Sequence, residues 1–179
     1  RAGGKLTRGL IHMAEGDWSK GERLLTQGLK GTDAPLINYL MAARAAQLQG
    51  SNERRDDWLR LAYEELPEAE TAVLLTQAQL QLEHEEFERA LATLSRIEES
   101  HPGHPLAVEL LLRAHAALED WDRVIELLPG LRDQRAASGG FAELAASALE
   151  HLTSRADLTA DKLEAVWRRL PAALRKQPP

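Results

Sequence analysis

The sequence predicts an all-α fold, a right-handed α-solenoid of stacked helix pairs. Three observations carry this. Four short stretches, Gly16-Asp17-Trp18, Gly50-Ser51-Asn52, Glu85-Glu86-Phe87 and Glu119-Asp120-Trp121, recur at steps of 34, 35 and 34 residues. A period of this size marks one supersecondary unit stacked on copies of itself. Helix breakers fall at regular places (Gly16, Gly31, Gly50, Pro67, Pro102-Gly103 and Pro105) and divide stretches of helical periodicity. No run of β-branched residues alternates with polar ones, so strand signals are lacking.

Taken in order, helices are expected over about 5–15, 18–30, 34–49, 52–65, 69–82, 86–99, 105–117 and 121–135. Asp17 and Asp120 stand just before Trp18 and Trp121, where a side-chain oxygen can accept from the free N–H groups of a first turn. Asp33 precedes Ala34-Pro35 in the same way, with proline suited to the first helical position. Ser51 is followed three residues later by Arg54, so a full capping box is not expected there. After Pro129 the register is lost. Ala136 to Gly140 reads as a loop, 141–153 as an amphipathic helix, and Asp157 or Thr159 as the cap of a helix over about 160–169 that Pro171 ends. Four helix pairs are therefore expected over 2–135, and a degenerate further pair with its tail over 136–179, in the same solenoid.

Equivalent positions carry equivalent side chains. Leu25, Leu59, Leu94 and Leu128 fall at one place in the second helices and are expected on the inward stripe. Small residues recur where two helices must cross closely: Gly9, Ala43 and Ala78 in the first helices, Gly21 and Ala90 in the second, Gly28 and Ala62 near their ends. Glycine inside a helix costs roughly 1 kcal/mol against alanine, which close packing must offset. This pattern resembles the tetratricopeptide repeat: a small residue in the first helix, a Gly-Asp-aromatic turn, a small residue in the second helix and a closing proline. The third unit shows it in Ala78, Phe87, Ala90, Leu94 and Pro102. The second departs from it at Arg55, and the fourth at Leu112 and Val124, where small residues are usual.

Composition limits the function classes. Hydrophobic residues make up 44% of the 179, enough for a continuous core, and the net charge is −6. An acidic chain without a basic stripe argues against nucleic acid as partner. The C-terminal cluster of Arg168, Arg169, Arg175 and Lys176 reads as a solvated helix end. There is no cysteine, so disulfides, thiolate metal sites and a cysteine nucleophile are excluded. No apolar run reaches the roughly 20 residues needed to cross a bilayer. The start at Arg1 and the close at Pro178-Pro179 read as an excised piece of something longer.

A narrower resemblance lies in particular wording. Asp33, Pro35, Asn38, Tyr39, Arg44 and Gln47 within 33–47, the run Glu53 to Asp57, and Leu59 to Ala62 are the specific part. Leu74 to Leu82, His104-Pro105, Trp167 to Pro171, and Trp18 with Glu22 to Leu25 accompany them. Over residues 6–171 the chain resembles the HemY family. That resemblance implies a bacterial inner-membrane protein with two N-terminal membrane-spanning helices and a repeat domain, associated with late steps of protohaem biosynthesis. This chain would be the N-terminal and central part of the soluble domain, reaching the membrane only through a segment absent from it.

Chemistry finds little footing. There is no Gly-x-Ser-x-Gly elbow, phosphate loop or flavin-binding signature. Runs such as Glu64-Glu65 and Glu98-Glu99 read as solvated faces. No enzyme activity, catalytic residue, metal site or cofactor is expected. His101 and His104 are the pair a haem ligand would need, and the plainer reading is a proline-glycine turn. His115 is expected in the core or half-buried, with His12 its equivalent in the first pair. The surface singled out is a groove lined by first helices, with Leu10, Met13, Leu40, Arg44, Gln47, Gln79, Glu83, Glu109 and Arg113 as candidates. Its arginines would fork onto a partner's carboxylate. The function expected is a protein–protein interaction scaffold, with haem-biosynthesis enzymes as partners. A tetrapyrrole-binding carrier and a generic assembly module unrelated to haem stand as alternatives.

Overall fold

In the computed structural model the described residues are 2–29, 31–32 and 35–176. Among them the chain forms twelve α-helices and two short 3-10 turns, and no strand. It divides into two compact units, the first ending at His84 and the second beginning at Glu85. The third expected pair is shared between them, because its first helix closes one unit and its second helix opens the other.

The first unit holds α1 (Ala2–Ala14), α2 (Trp18–Gln27), α3 (Leu36–Leu48), α4 (Asn52–Glu65) and α5 (Glu70–Glu83). Each helix packs on the next, and α3 also meets α1 and α5. Caps set the starts. Asp17 accepts from the Lys20 N–H and Ser51 from the Arg54 N–H. The Asp33 cap lies outside the described residues. Pro67 begins a 3-10 turn, Pro67–Ala69, that leads into α5. The turns between paired helices share one geometry. The Asp17 N–H donates to the His12 carbonyl and the Ser51 N–H to the Ala46 carbonyl, both at 2.9 Å. These six-to-one bonds close a Schellman turn around a left-handed residue, Gly16 at φ +81° and Gly50 at φ +80°.

The expected small residues lie at close crossings. A Cβ on Gly9 would stand 2.9 Å from Leu25 Cγ, and one on Gly21 would stand 2.9 Å from Met13 Sδ. Ala43, Ala62 and Ala78 are wholly buried. Tyr39, Leu59, Val73 and Leu80 gather with Ala43 and Ala62 into the core of this unit. Arg55, the departure from the small-residue pattern, is wholly buried too. Gln47 accepts from its Nη1 at 2.8 Å and Asp56 from its Nε at 2.9 Å. A buried charge needs such partners to offset its lost hydration.

The second unit holds α6 (Phe87–Ser100), α7 (Pro105–Ala117), α8 (Trp121–Leu127), α9 (Asp133–Ser138), α10 (Phe141–Thr153), α11 (Ala160–Arg169) and α12 (Ala172–Arg175). Asp120 caps α8 through the Arg123 N–H, and the Asp120 N–H repeats the six-to-one bond to the His115 carbonyl. Thr159 caps α11 through the Lys162 N–H. Leu94 and Leu128, like Leu25 and Leu59, are buried as the equivalence predicts. Leu112 and Val124 fill their crossing and join Leu128, Phe141, Ala145 and Ala148 in the core.

Two expectations after Pro129 are corrected. The helix expected over 121–135 stops at Leu127, where Pro129 leads a 3-10 turn, Leu128–Gly130. The segment expected as a loop over 136–140 is helical through Ser138, and only Gly139 and Gly140 turn. The cause is nonlocal: Arg135 on α9 makes a forked pair with Glu109 on α7 at 2.7 and 3.0 Å. Buried Ala136 joins the core from the same helix.

Candidate functional site

In the first unit α3 meets both α1 and α5. On α3 the series Ile37, Met41, Arg44 and Leu48 follows the i, i+4, i+7, i+11 spacing of one helical face. Ile37 is 45% exposed and Leu48 42% exposed, unusual for side chains of their size, and Arg44 is exposed between them. The equivalent series on α5 is Ala72, Thr76, Gln79 and Glu83, with Gln79 and Glu83 exposed. Arg44 Nη1 reaches Glu83 Oε1 at 3.4 Å, so one ion pair joins the two helices across this face. Both groups are about half-exposed, which makes the pair weak and exchangeable. Apolar flanks around an adjustable cation suit a partner that supplies a carboxylate.

The remaining candidates lie elsewhere. Leu10 is half-buried on α1, beside the exposed Ile11. Met13 packs over Gly21 inside the first pair. Leu40 packs against the α3–α4 core. Gln47 is buried and engaged by Arg55. In the second unit Glu109 is buried and holds Arg135. Arg113 is exposed, but its guanidinium lies 4.8 Å from the Phe141 ring centre and donates to the Gly139 carbonyl at 3.0 Å. Arg44, Gln79 and Glu83 therefore share an open face, while Gln47 and Glu109 serve internal pairs. Sequence reasoning missed Ile37, Met41 and Leu48. Spacing alone does not choose between them, because Leu40 and Gln47 stand at i−4 and i+3 from Arg44 just as Met41 and Leu48 stand at i−3 and i+4; burial puts Gln47 inside and leaves Ile37 and Leu48 open.

A carboxylate whose partners no motif indicated ties the first two pairs together. Glu22 on α2 is almost fully buried. Arg54 forks onto it at 3.1 and 3.2 Å, Trp58 Nε1 donates at 2.9 Å and Gln49 Nε2 at 2.6 Å. Burial pushes its pKa up, but the bonds from Arg54, Trp58 and Gln49 outweigh that and hold it below the ordinary 4.5. Tyr39, against the Trp58 ring at 6.4 Å between centres, has its phenol pushed up to about 12 by burial and by its bond to Glu65. These groups fix the frame behind the open face of α3.

His84, His101 and His104 stand at helix ends, and His12, His115 and His151 lie within helices. His104 Nδ1 accepts from the Leu106 N–H at the start of α7. His101 is exposed beside Ser100. His115 is buried as expected and lies 3.1 Å from Asp120, and half-buried His12 repeats the arrangement with Asp17 at 3.7 Å. Among the described residues no group of three His, Cys, Asp or Glu side chains is placed to hold a metal ion, and no helix is long and apolar enough to cross a membrane.

Paired helices joined by left-handed turns, with small residues at the crossings, define a tetratricopeptide-like helical repeat protein. A solved structure described as the MamA RS-1 ArsTM double mutant has this fold, with a TM-score of 0.63 at 12% identity, covering 94% of this chain and 91% of that one. Residues 1–50 match the family model described as the HemY protein N-terminus. Protein HemY of Escherichia coli strain K12 is 29% identical over 131 residues, which are 73% of this chain and 33% of that protein. Protein HemY of Shigella flexneri matches to the same extent. The chain is similar to the HemY proteins over these stretches, and it spans about a third of the length of the curated relatives it matches.

Proposed function

We propose that this chain is a non-catalytic protein-binding repeat domain of a HemY-type protein at the bacterial inner membrane, gathering enzymes of late haem (porphyrin) biosynthesis. It acts by raising their local concentration and fixing their orientation, and makes or breaks no bond itself. The observation that carries this reading is the outer face of α3. A helix with apolar residues on every side is one that expects cover on every side. Ile37 and Leu48 stay open to solvent with Arg44 between them. An amphipathic or extended segment bearing an acidic residue would bury both and draw Arg44 away from Glu83. The haem pathway rests on the likeness to HemY proteins alone.

The test is complementation. In a bacterium lacking its own copy, whole HemY-type protein carrying Ile37→Asp and Leu48→Asp should fail to restore normal haem and porphyrin content, with far-UV dichroism unchanged. Full restoration by the double variant would exclude this face as the working surface. A saturable Soret shift on titrating haem into the chain, abolished in His101→Ala/His104→Ala, would move the assignment to a tetrapyrrole carrier.

A further inference from the structure

The second unit holds a trough unrelated to the α3 face. Two adjoining cavities, of about 470 and 460 Å³, share Leu149, Thr153 and Trp167 and run along one side of α10. Their floor on α10 is built from Ala142, Ala145, Ala146 and Leu149. Leu163 and Trp167 of α11, with Leu170 and Leu174, complete the apolar lining. Trp167 is 40% exposed, a large aromatic left half-open of the kind that anchors interfaces.

The charge along this trough has one sign. Its lining contains Glu143, Glu150 and Glu164 and no basic side chain. Glu164 is engaged by Arg168 within α11. Glu143 and Glu150 have no side-chain ion pair among the described residues. They stand seven residues apart on α10, about 10 Å along the axis and on nearly one side.

We propose that this trough receives an amphipathic, cationic helix of a partner protein. Its apolar ridge would lie on the alanines and against Trp167, and two Lys or Arg residues spaced seven apart would face Glu143 and Glu150. The floor decides for a helix. An extended segment would press unpaired N–H and C=O groups against an apolar wall that offers no strand edge, whereas a helix satisfies its own backbone. The small alanines let a helix axis come close. The carboxylates decide for a cationic ridge, and they repel an anionic lipid surface. At 13 residues, α10 offers a seat for about three turns.

The probe is a fluorescein-labelled 14-residue amphipathic peptide, with a leucine ridge and two lysines seven apart, and a twin carrying glutamate in place of lysine. Anisotropy titrations use the whole chain. Saturable binding of the lysine peptide is expected, with the glutamate twin at least tenfold weaker. Glu143→Lys/Glu150→Lys, both exposed positions, should reverse that preference, and Trp167→Ala should abolish binding of either peptide. Arg44→Glu should change nothing. Equal binding of the two peptides, preference unmoved by the charge reversal, or loss of binding in Arg44→Glu would overturn the proposal. So would a concentration-dependent self-association, seen by sedimentation, that Trp167→Ala removes, because the trough would then belong to a second copy of this chain.

Discussion

Replacing Glu22 by alanine removes the one acceptor that three donors share. Arg54 is about half-exposed and can turn to water, so its share of the loss is small. Gln49 keeps its second bond, to the Ala45 carbonyl. Trp58 Nε1 has no second partner of that kind, and a half-buried indole N–H left unsatisfied costs about 1–3 kcal/mol. With the bond to the charged Arg54 added at a discount, Glu22→Ala should lower unfolding free energy by about 2–3 kcal/mol. Glu22→Gln should fall between, because its carbonyl still accepts while its amide opposes Arg54. Urea unfolding followed by Trp fluorescence measures both. The pH dependence is a second check. The folded carboxylate sits below 4.5, so its stabilisation is complete above that value and is lost as pH falls through the lower folded pKa. Wild type should weaken in that acid window more steeply than Glu22→Gln. A loss below about 0.5 kcal/mol for Glu22→Ala, the size of an ordinary surface change, would refute the idea that this carboxylate ties the pairs together.

Tyr39 should ionise near pH 12, and because the folded state then keeps a proton that the unfolded chain releases near 10.0, stability should fall across that interval. Tyr39→Phe should flatten the fall and remove the late step in absorbance near 295 nm. Gly9→Ala should destabilise by about 1–2 kcal/mol, since the new methyl meets the immobile Leu25 at 2.9 Å. Gly21→Ala should stay within about 0.5 kcal/mol of wild type, because flexible Met13 can move aside and alanine favours the helix; melting curves separate the two.

What could be read in the sequence is what local spacing encodes. The turns at Gly16, Gly50 and Asp120, the buried leucines at positions 25, 59, 94 and 128, and the caps at Asp17, Asp120 and Thr159 each depend on neighbours within one or two turns. The partners of Glu22 lie 27 to 36 residues away, and nothing near it announces them. Helix α9 escaped for the same reason, since its Arg135 answers to Glu109, 26 residues earlier. The candidate face was found only in part because adjacent helical series differ by one residue. Choosing Leu40 and Gln47 over Met41 and Leu48 pointed half of it inward. Arg55 stood out in the sequence as a departure, but its answer, an internal bond to Gln47, needed coordinates.

The left-handed residue of the paired-helix turns is glycine in the first two repeats and glutamate in the next two, Glu85 at φ +57° and Glu119 at φ +56°. A side chain in that region costs roughly 1 kcal/mol relative to glycine. At Glu119 the turn keeps the six-to-one bond from the Asp120 N–H to the His115 carbonyl without the residue that makes it easy, so that bend is imposed by α7 and α8, which flank it. Position 119 is therefore a dormant reserve of robustness that a change to glycine would draw on.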